Sequence, residues 1–283
     1  MKDFKDKVAV VTGGASGLGL AMARRFAAEG MKLVLADVEE ESLRRVETDF
    51  RKAGVPVVGL KTDVSRAHDV ERLAEKTLAT FGGAHLLCNN AGVAPGGVVW
   101  ENTLPDWEWV LGVNLWGVIH GVRVFLPIML RQDTECHVVN TASVAGLLSV
   151  PGMGAYCVSK HAVVTLTECL YHDLAQRAAK IGVSVLCPAY VPTGISDSER
   201  NRPAHLRNAP RTRTAEEQER EELMRKAVSS GKVSADDVAK RVLEAIKENR
   251  FYVLTHPKIK GAIQMRMEDI LLERAPTDTS RPK

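Results

Sequence analysis

The chain alternates between short, continuously apolar runs and longer stretches with helical character, and this alternation constrains its fold more than any other feature. Each apolar run ends in turn residues, as strands buried on both faces of a parallel sheet do. The sequence therefore predicts an α/β fold, a doubly wound Rossmann-type parallel sheet of about seven strands with helices on both faces. The predicted strands span residues 8–13, 32–37, 57–63, 86–92, 137–143, 183–189 and 251–255.

The length of 283 residues, 45% of them hydrophobic, favours a single domain over residues 1–283. Residues 193–233 break the alternation, and a long charged segment of this kind predicts a substrate lid. Residues 275–283 are interpreted as a flexible tail. Helical stretches 105–131 and 155–181 carry apolar residues on more than one side. Packing on the sheet alone would explain this, but we favour a second subunit, and so a homodimer or homotetramer.

The overall charge and the cysteine pattern narrow the class of partner. A formal net charge of +3, without a basic block, argues against nucleic acid and favours a small-molecule substrate. Five cysteines without C-x-x-C spacing are typical of reduced thiols, so neither a disulfide nor a metal site is expected. No stretch reaches about 18 uncharged apolar residues and the N-terminus lacks a signal-peptide core, so we expect a cytoplasmic protein that does not bind membranes.

A glycine-rich turn joins the first predicted strand to a helix. Gly13, Gly17 and Gly19 allow the backbone to approach a pyrophosphate, and the helix N-terminus offers free N–H groups. A purely structural turn would contain the same glycines. Asp37 strengthens the case for a dinucleotide, because it ends the second strand 18 residues after Gly19, where a carboxylate can accept both hydroxyls of an adenosine ribose.

The same carboxylate predicts the choice between the two nicotinamide cofactors. It would repel a 2′-phosphate, and neither Ser16 nor Val38 supplies a compensating cation, so we predict NAD rather than NADP. Asp63 and Val64, at the end of the third strand, are positioned to flank the adenine. An aspartate before a helix is also a common cap for the residues that follow, and that alternative stays open.

A phenol and an ammonium lie one helical turn apart in the segment "YCVSK", at Tyr156 and Lys160. Oxidising an alcohol requires a general base, and a free tyrosine, with a pKa of about 10, is too weak an acid by roughly three units or 4 kcal/mol. The Lys160 ammonium can stabilise the phenolate, and Ser143, which ends a strand, can hold the substrate oxygen. A lone Tyr-x-x-x-Lys pair is otherwise an ordinary surface feature. His120, His161 and His172 lie in apolar helical runs and are interpreted as structural.

Six motifs in order make the chain resemble the short-chain dehydrogenase/reductase family, in its compact single-domain subclass, over about residues 5–255. They are the glycine turn from Thr12 to Gly19, "NNAG" at Asn89–Gly92, Asn114 in "VNLWG", Ser143, the Tyr156/Lys160 pair, and "CPAYVPT" at Cys187–Thr193. The resemblance implies that Asn114 holds a water in a proton relay behind Lys160. It also implies that Lys160 binds the nicotinamide ribose and Thr193 the carboxamide.

The predicted site combines these residues. The predicted catalytic residues are Asn114, Ser143, Tyr156 and Lys160. The predicted NAD-binding residues are Gly13, Ser16, Gly17, Leu18, Gly19, Asp37, Asp63, Val64, Asn90, Ala91, Gly92, Tyr156, Lys160, Pro188, Val191 and Thr193.

Apolar residues in the loops after Ser143 and around 93–100 predict a hydrophobic secondary alcohol or ketone as substrate, such as a sterol, terpenoid or aryl carbinol. They are Leu147, Leu148, Val150, Met153, Val99 and Trp100.

Lid arginines could bind a substrate carboxylate or could simply be solvated. These are Arg200, Arg202, Arg207, Arg211 and Arg213. The predicted function is an NAD-dependent oxidoreductase; an NADP-dependent carbonyl reductase and a non-catalytic dinucleotide-sensing regulatory protein remain alternatives.

Overall fold

The computed structural model describes residues 1–209, 212 and 214–279. Strands and helices alternate along these residues, as the sequence predicts. The strands are β1 (Val8–Thr12), β2 (Lys32–Asp37), β3 (Val57–Lys61), β4 (Leu86–Asn89), β5 (Cys136–Thr141), β6 (Ile181–Cys187) and β7 (Tyr252–Leu254). The α-helices are α1 (Gly17–Ala28), α2 (Glu40–Lys52), α3 (Ala67–Phe81), α4 (Leu104–Leu111), α5 (Gly117–Gln132), α6 (Gly154–Gln176), α7 (Ala215–Ser229), α8 (Ala235–Glu248) and α9 (Ile259–Leu271).

The seven strands form one parallel sheet in the order β3-β2-β1-β4-β5-β6-β7. The chain first winds outward from β1 to β3, then crosses back to β4 and winds in the other direction. The strand order therefore reverses between β1 and β4, and the carboxyl ends of these two strands open a crevice of the kind that binds ligands in such sheets. The predicted α/β fold class is confirmed.

Each strand buries side chains on both faces of the sheet. In β1, Ala9 and Val11 belong to a core shared with α1, α2 and α8, whereas Val8 and Val10 belong to a core shared with α3, α5 and α6. All four residues are at most 1% exposed. Because neither face of the sheet is exposed to water, the sequence of each strand is an almost continuous run of apolar residues.

Two predicted elements differ from the structure. The helical stretch predicted over 155–181 ends at Gln176, and residue 181 already begins β6. Ala178 adopts a left-handed conformation, with φ of 48°, that reverses the chain between the two. The segment predicted as a substrate lid contains α7, whose first half is polar and whose few inward-facing apolar residues, Met224 and Val228, lie in its second half. Its N-terminus is fixed by a capping box between Thr214 and Glu217.

The C-terminal region contains one element that the sequence did not predict. Helix α9 has no counterpart among the predicted elements, and the residues after it remain attached to it. The backbone N–H of Thr277 donates to the Asp269 carboxylate, and Arg274 forms an ion pair with the same carboxylate at 3.0 Å. Of the tail predicted over 275–283, residues 280–283 lie outside the described residues.

One continuous helical stretch, Leu104–Gln132, is long and apolar enough to cross a membrane by length and composition alone. It comprises α4, a π-helical turn over Gly112–Trp116, and α5. Phe125 and Met129 of this stretch are fully buried beneath the sheet, together with much of the same face of α5. Core packing therefore accounts for its apolar composition.

Candidate active site

The glycine turn follows β1 at the crevice. Its glycines let the backbone at the start of α1 lie directly against the backbone at the end of β1. Gly13 and Gly17 have positive φ values of 63° and 51°, a region that favours glycine. A Cβ on Gly19 would lie 2.0 Å from the Gly13 carbonyl oxygen, so only glycine fits there. Ser16 is the N-cap of α1 but its side chain makes no capping hydrogen bond. The first N–H groups of α1 therefore remain available to a phosphate.

Asp37 lies at the end of β2, beside the glycine turn. Its carboxylate accepts hydrogen bonds from the backbone N–H of Ala15 and of Glu39, both at 3.0 Å. Burial raises the pKa of Asp37, although these two backbone donors lower it. The carboxylate is thus fixed in orientation and faces the cavity described below, as an acceptor for ribose hydroxyls requires.

Asp63 organises the turn before α3 and also lines the cavity. Its carboxylate accepts from the backbone N–H of Ser65 at 3.0 Å and from the Ser65 hydroxyl at 2.6 Å, which organises the turn before α3. Asp63 and Val64 also line the cavity. The capping role and a contact with a nucleotide base are therefore compatible.

The segment after β4 is tied to β1 through Thr12. The Thr12 hydroxyl accepts from the backbone N–H of Asn90 and Ala91, at 2.9 and 3.1 Å, and the Asn90 side chain donates to the Thr12 carbonyl at 3.0 Å. These contacts hold the ends of β1 and β4 together at the position where the strand order reverses. Gly92 follows, and a Cβ there would lie 3.6 Å from the Lys160 ammonium.

Tyr156 and Lys160 lie on the first turns of α6 and face the same cavity. The Lys160 ammonium is 5.7 Å from the centre of the Tyr156 ring and donates to the Thr141 carbonyl at 3.0 Å. Ser143, after β5, lies at the same end of the sheet. Its hydroxyl accepts from the Ala145 N–H at 3.1 Å and donates to the Pro188 carbonyl at 3.3 Å, so it must turn to reach a substrate oxygen.

Burial changes the acidity of both groups. It raises the pKa of Tyr156 to about 12, although a hydrogen bond with Ser143 lowers it. It lowers the pKa of Lys160 to about 8, although the neighbouring Cys187 raises it. In the protein alone, the cost of burying a phenolate therefore outweighs the stabilisation expected from Lys160, and the pKa of Tyr156 moves opposite to the expected direction.

Asn114 lies in the π-helical turn, and its side chain is fully buried. The amide nitrogen donates to the Val93 carbonyl at 2.9 Å and to the Ser159 hydroxyl at 3.1 Å, and the amide oxygen accepts from the Val93 N–H at 2.8 Å. A π-helical turn inside a helix often marks a functional position. Here it directs Asn114 toward α6 and the loop after β4.

A single cavity of about 1070 Å³ joins these groups. It is somewhat larger than the roughly 300–1,000 Å³ of ordinary ligand pockets. Except for Gly19 and Asn114, which lie behind its wall, every predicted site residue lines it. The open N–H groups, the fixed Asp37 carboxylate and this continuous volume fit a dinucleotide.

Two groups of predicted substrate contacts differ from the structure. The six loop residues expected to form an apolar wall do not line this cavity: Leu148 and Met153 are buried in the core, and Trp100 is 83% exposed to solvent. Arg200 and Arg202 are paired with carboxylates of the protein and are not available to a substrate. Arg211 and Arg213 lie outside the described residues.

Several cavity-lining residues were not predicted, because their signal lies in tertiary contacts. Ser198 and Asn201 come from the segment after Thr193, and Glu39 lies just beyond Asp37. Glu39 and Arg200 are separated by 161 positions in the chain. The charge of the 200–213 segment is visible in the sequence, but its partners are set by the fold.

Comparison with known proteins gives a consistent result. A family model described as short chain dehydrogenase matches residues 7–204. The crystal structure of a short chain dehydrogenase/reductase from Burkholderia phymatum in complex with NAD is 55% identical, with a TM-score of 0.96, and the match covers 98% of this chain and 99% of that one.

Two curated relatives also match over nearly the whole chain. The "CLA biosynthesis dehydrogenase/reductase" of Lactiplantibacillus plantarum is 36% identical, over 98% of this chain and 97% of that protein. The "C alpha-dehydrogenase" of a Sphingobium species is 31% identical, over 99% of this chain and 90% of that protein.

Proposed function

Because the chain belongs to the short-chain dehydrogenase/reductase family and is an oxidoreductase, we propose that it transfers a hydride between NAD and a secondary alcohol or ketone. The observation that carries the proposal is the single cavity that brings Tyr156, Lys160 and Ser143 together with Asp37 and the glycine turn. A dinucleotide site and an acid–base pair that share one cavity are what alcohol oxidation requires.

Tyr156 is the proposed general base, and it removes the proton of the substrate hydroxyl. When bound, NAD supplies the hydride acceptor and, in its oxidised form, a positive charge near the site. The Lys160 ammonium stabilises the phenolate, and Ser143 donates to the substrate oxygen after turning from the Pro188 carbonyl. Asn114 fixes the backbone of Val93 and the hydroxyl of Ser159, and so positions the loop after β4 against α6.

The preference for NAD rests on Asp37. Its carboxylate is held by two backbone N–H groups and cannot turn away from a 2′-phosphate without losing them. The neighbouring Arg200 is paired with Glu39, so it is not a free cation for a 2′-phosphate. The similar short chain dehydrogenase/reductase from Burkholderia phymatum was crystallised in complex with NAD, which supports the same choice.

We propose that the substrate is hydrophobic. The residues that support this proposal are not the loop residues that the sequence suggested. Apolar residues of the cavity wall include Val93, Ile195, Leu206 and Val228. From the lid proposed over 193–233, Met224 packs against the same small cluster as Tyr156. Helix α7 thus covers the beginning of α6, as a lid that excludes water from Tyr156 would.

A substrate panel tests this function. Purified protein is incubated with apolar cyclic and aryl secondary alcohols, sugars, or acyl thioesters, each with NAD or NADP, and formation of the reduced cofactor is followed by absorbance. We expect turnover of the apolar alcohols, with kcat/KM at least tenfold higher with NAD. A preference for sugars would remove the hydrophobic-substrate proposal, and a preference for NADP would remove the Asp37 argument. NAD binding without turnover of any substrate would favour the regulatory alternative.

We also propose that the protein is a cytoplasmic homodimer or homotetramer. Trp116, in the π-helical turn before α5, and Val158 and Tyr171 on α6 are large apolar side chains that are 43–51% exposed. Such residues on neighbouring helices favour contact with a second copy. Light scattering of the purified protein is expected to give two or four times the chain mass of 30.9 kDa; a monomeric mass at micromolar concentration would contradict this.

A further inference from the structure

Residues 194–208 cross the cavity between the end that holds Asp37 and helix α4. This segment, which we call the crossing segment, contributes Ile195, Ser198, Arg200 and Leu206 to the cavity wall. It begins beside the glycine turn, where a Cβ on Gly17 would lie 3.4 Å from Thr193. A dinucleotide that occupies the cavity therefore lies beneath it, and the contacts that fix the segment bear on how such a ligand leaves.

The first of these contacts is an ion pair beside the ribose-binding carboxylate. One Glu39 carboxylate oxygen accepts from Arg200, with N–O distances of 2.9 and 2.6 Å, and from the Asn201 amide at 2.8 Å. Arg200 is held in place by the carbonyls of Gly194 and Asp197, at 3.0 and 2.8 Å. Both ionic side chains remain partly exposed, 27% for Glu39 and 42% for Arg200.

The second contact is buried and more extensive. The Arg202 side chain is 4% exposed and pairs with Glu199 at 2.7 Å and with Asp106 of α4 at 2.8 Å. Its guanidinium also lies 4.1 Å from the centre of the Trp109 ring and donates to the Leu206 carbonyl at 3.2 Å. Breaking this group of contacts would leave the buried Arg202 guanidinium unpaired, which is far more costly than parting a water-accessible pair.

The two contacts therefore differ in how readily they open. We propose that Glu39 and Arg200 are positioning residues for the cofactor: their ion pair holds the crossing segment closed over the adenosine end of the cavity and must part before the cofactor leaves. Arg202 remains fixed to α4 while this happens. The inference rests on the proposed dinucleotide function, but it concerns the rate of exchange rather than the chemistry.

The expected consequence is faster cofactor release when the ion pair is removed. NADH is bound to the purified protein and displaced by excess NAD in a stopped-flow instrument, with NADH fluorescence as the signal. For Glu39→Gln and for Arg200→Met we expect the dissociation rate constant to rise about fivefold, as for loss of a partly exposed ion pair. The double variant should be no faster than the faster single variant, because both remove one interaction.

Salt provides a second readout that a general loss of structure would not produce. Raising the ionic strength should accelerate NADH release from the wild type more than from Glu39→Gln, since the variant has no ion pair left to screen. Circular dichroism checks that each variant is folded. If Arg200→Met fails to fold, because Arg200 also holds two carbonyls, Asn201→Ala replaces it and should give a smaller rise.

Glu40→Gln is the matched control. Glu40 is the next residue, pairs with Arg44 and Lys61, and does not line the cavity, so its removal should leave the dissociation rate unchanged. Unchanged rates in both Glu39→Gln and Arg200→Met, or an equal rise in Glu40→Gln, would overturn the inference while leaving the proposed function intact. A wild type that binds no NADH would instead refute the proposed function, and this inference with it.

Discussion

Replacing Tyr156 with phenylalanine is expected to lower kcat/KM by about a thousandfold. General acid–base catalysis contributes roughly 10²–10⁴ in rate, and phenylalanine fills the same space without the hydroxyl that moves the proton. The fold and the cavity should be unchanged, because the Tyr156 ring contacts Lys160 and the apolar cluster around Met153, and phenylalanine keeps the ring. Steady-state kinetics with the best alcohol of the panel measures the loss.

NADH affinity separates catalysis from binding in this experiment. Fluorescence titration of Tyr156→Phe should give a dissociation constant within about tenfold of the wild type, since most proposed cofactor contacts lie elsewhere. Tyr171→Phe is the control: Tyr171 lies on the same helix but is 43% exposed, and its activity should match the wild type. If Tyr156→Phe kept activity within tenfold of the wild type, the phenol would not be the base.

Replacing Lys160 with methionine is expected to have the second largest effect, a loss of roughly 10²–10³ in kcat/KM. Burial already raises the pKa of Tyr156 to about 12 in the protein alone, and without the ammonium nothing from α6 would stabilise the phenolate that forms during the reaction. The pH at which activity reaches half of its maximum should therefore move upward. Lys180→Met, which removes an exposed ion pair with Asp133, is the control and should leave the profile in place.

Stability gives an independent readout for the same variant. Burial lowers the pKa of Lys160 from 10.5 to about 8, so between these values the unfolded chain binds the proton and the folded chain does not. Above pH 10.5 the Lys160 side chain is neutral in both states, so its burial does not lower the free energy of unfolding. As the pH falls from 10.5 the unfolded chain takes up the proton first, and this contribution to stability is lost as the pH falls through about 8. Denaturant unfolding should show the wild type gaining up to about 3 kcal/mol over Lys160→Met across this window.

Other titrating groups are shared by the two proteins and cancel in the difference. Burial raises the pKa of the neighbouring Cys187 to about 12, which keeps its thiol protonated in the folded state across the window. A difference curve that stays flat between pH 8 and 10.5 would mean that Lys160 is not buried in the way the structure describes.

The residues of the dinucleotide and catalytic motifs could be assigned from the sequence because their spacing is local. The glycine turn is set by the helix that follows it, and one helical turn separates Tyr156 from Lys160. The glycine turn, Asp37 and Ser143 lie at or just after strand ends, and a parallel sheet brings these ends to one edge. Nearly all of the predicted residues line the cavity because the carboxyl ends of the parallel strands meet at this edge of the sheet.

Side-chain orientation in the loops could not be assigned in the same way. The apolar loop residues suggested a substrate wall, yet Met153 packs inward and Trp100 faces solvent. An irregular loop has no fixed period, so composition alone does not say which of its side chains faces a cavity. The arginines posed the same problem, because the partners of Arg200 and Arg202 come from α4 and from the turn before α2.

The sequence alone determined the sheet, its direction and the edge at which the site lies, because those depend on hydrophobic periodicity and on residues close together in the chain. Only the tertiary structure decided the acidity of Tyr156 and Lys160 and the pairing of Glu39 with Arg200. Desolvation and long-range ion pairs depend on which surfaces exclude water and on which distant segments meet, and both are set when the whole chain packs.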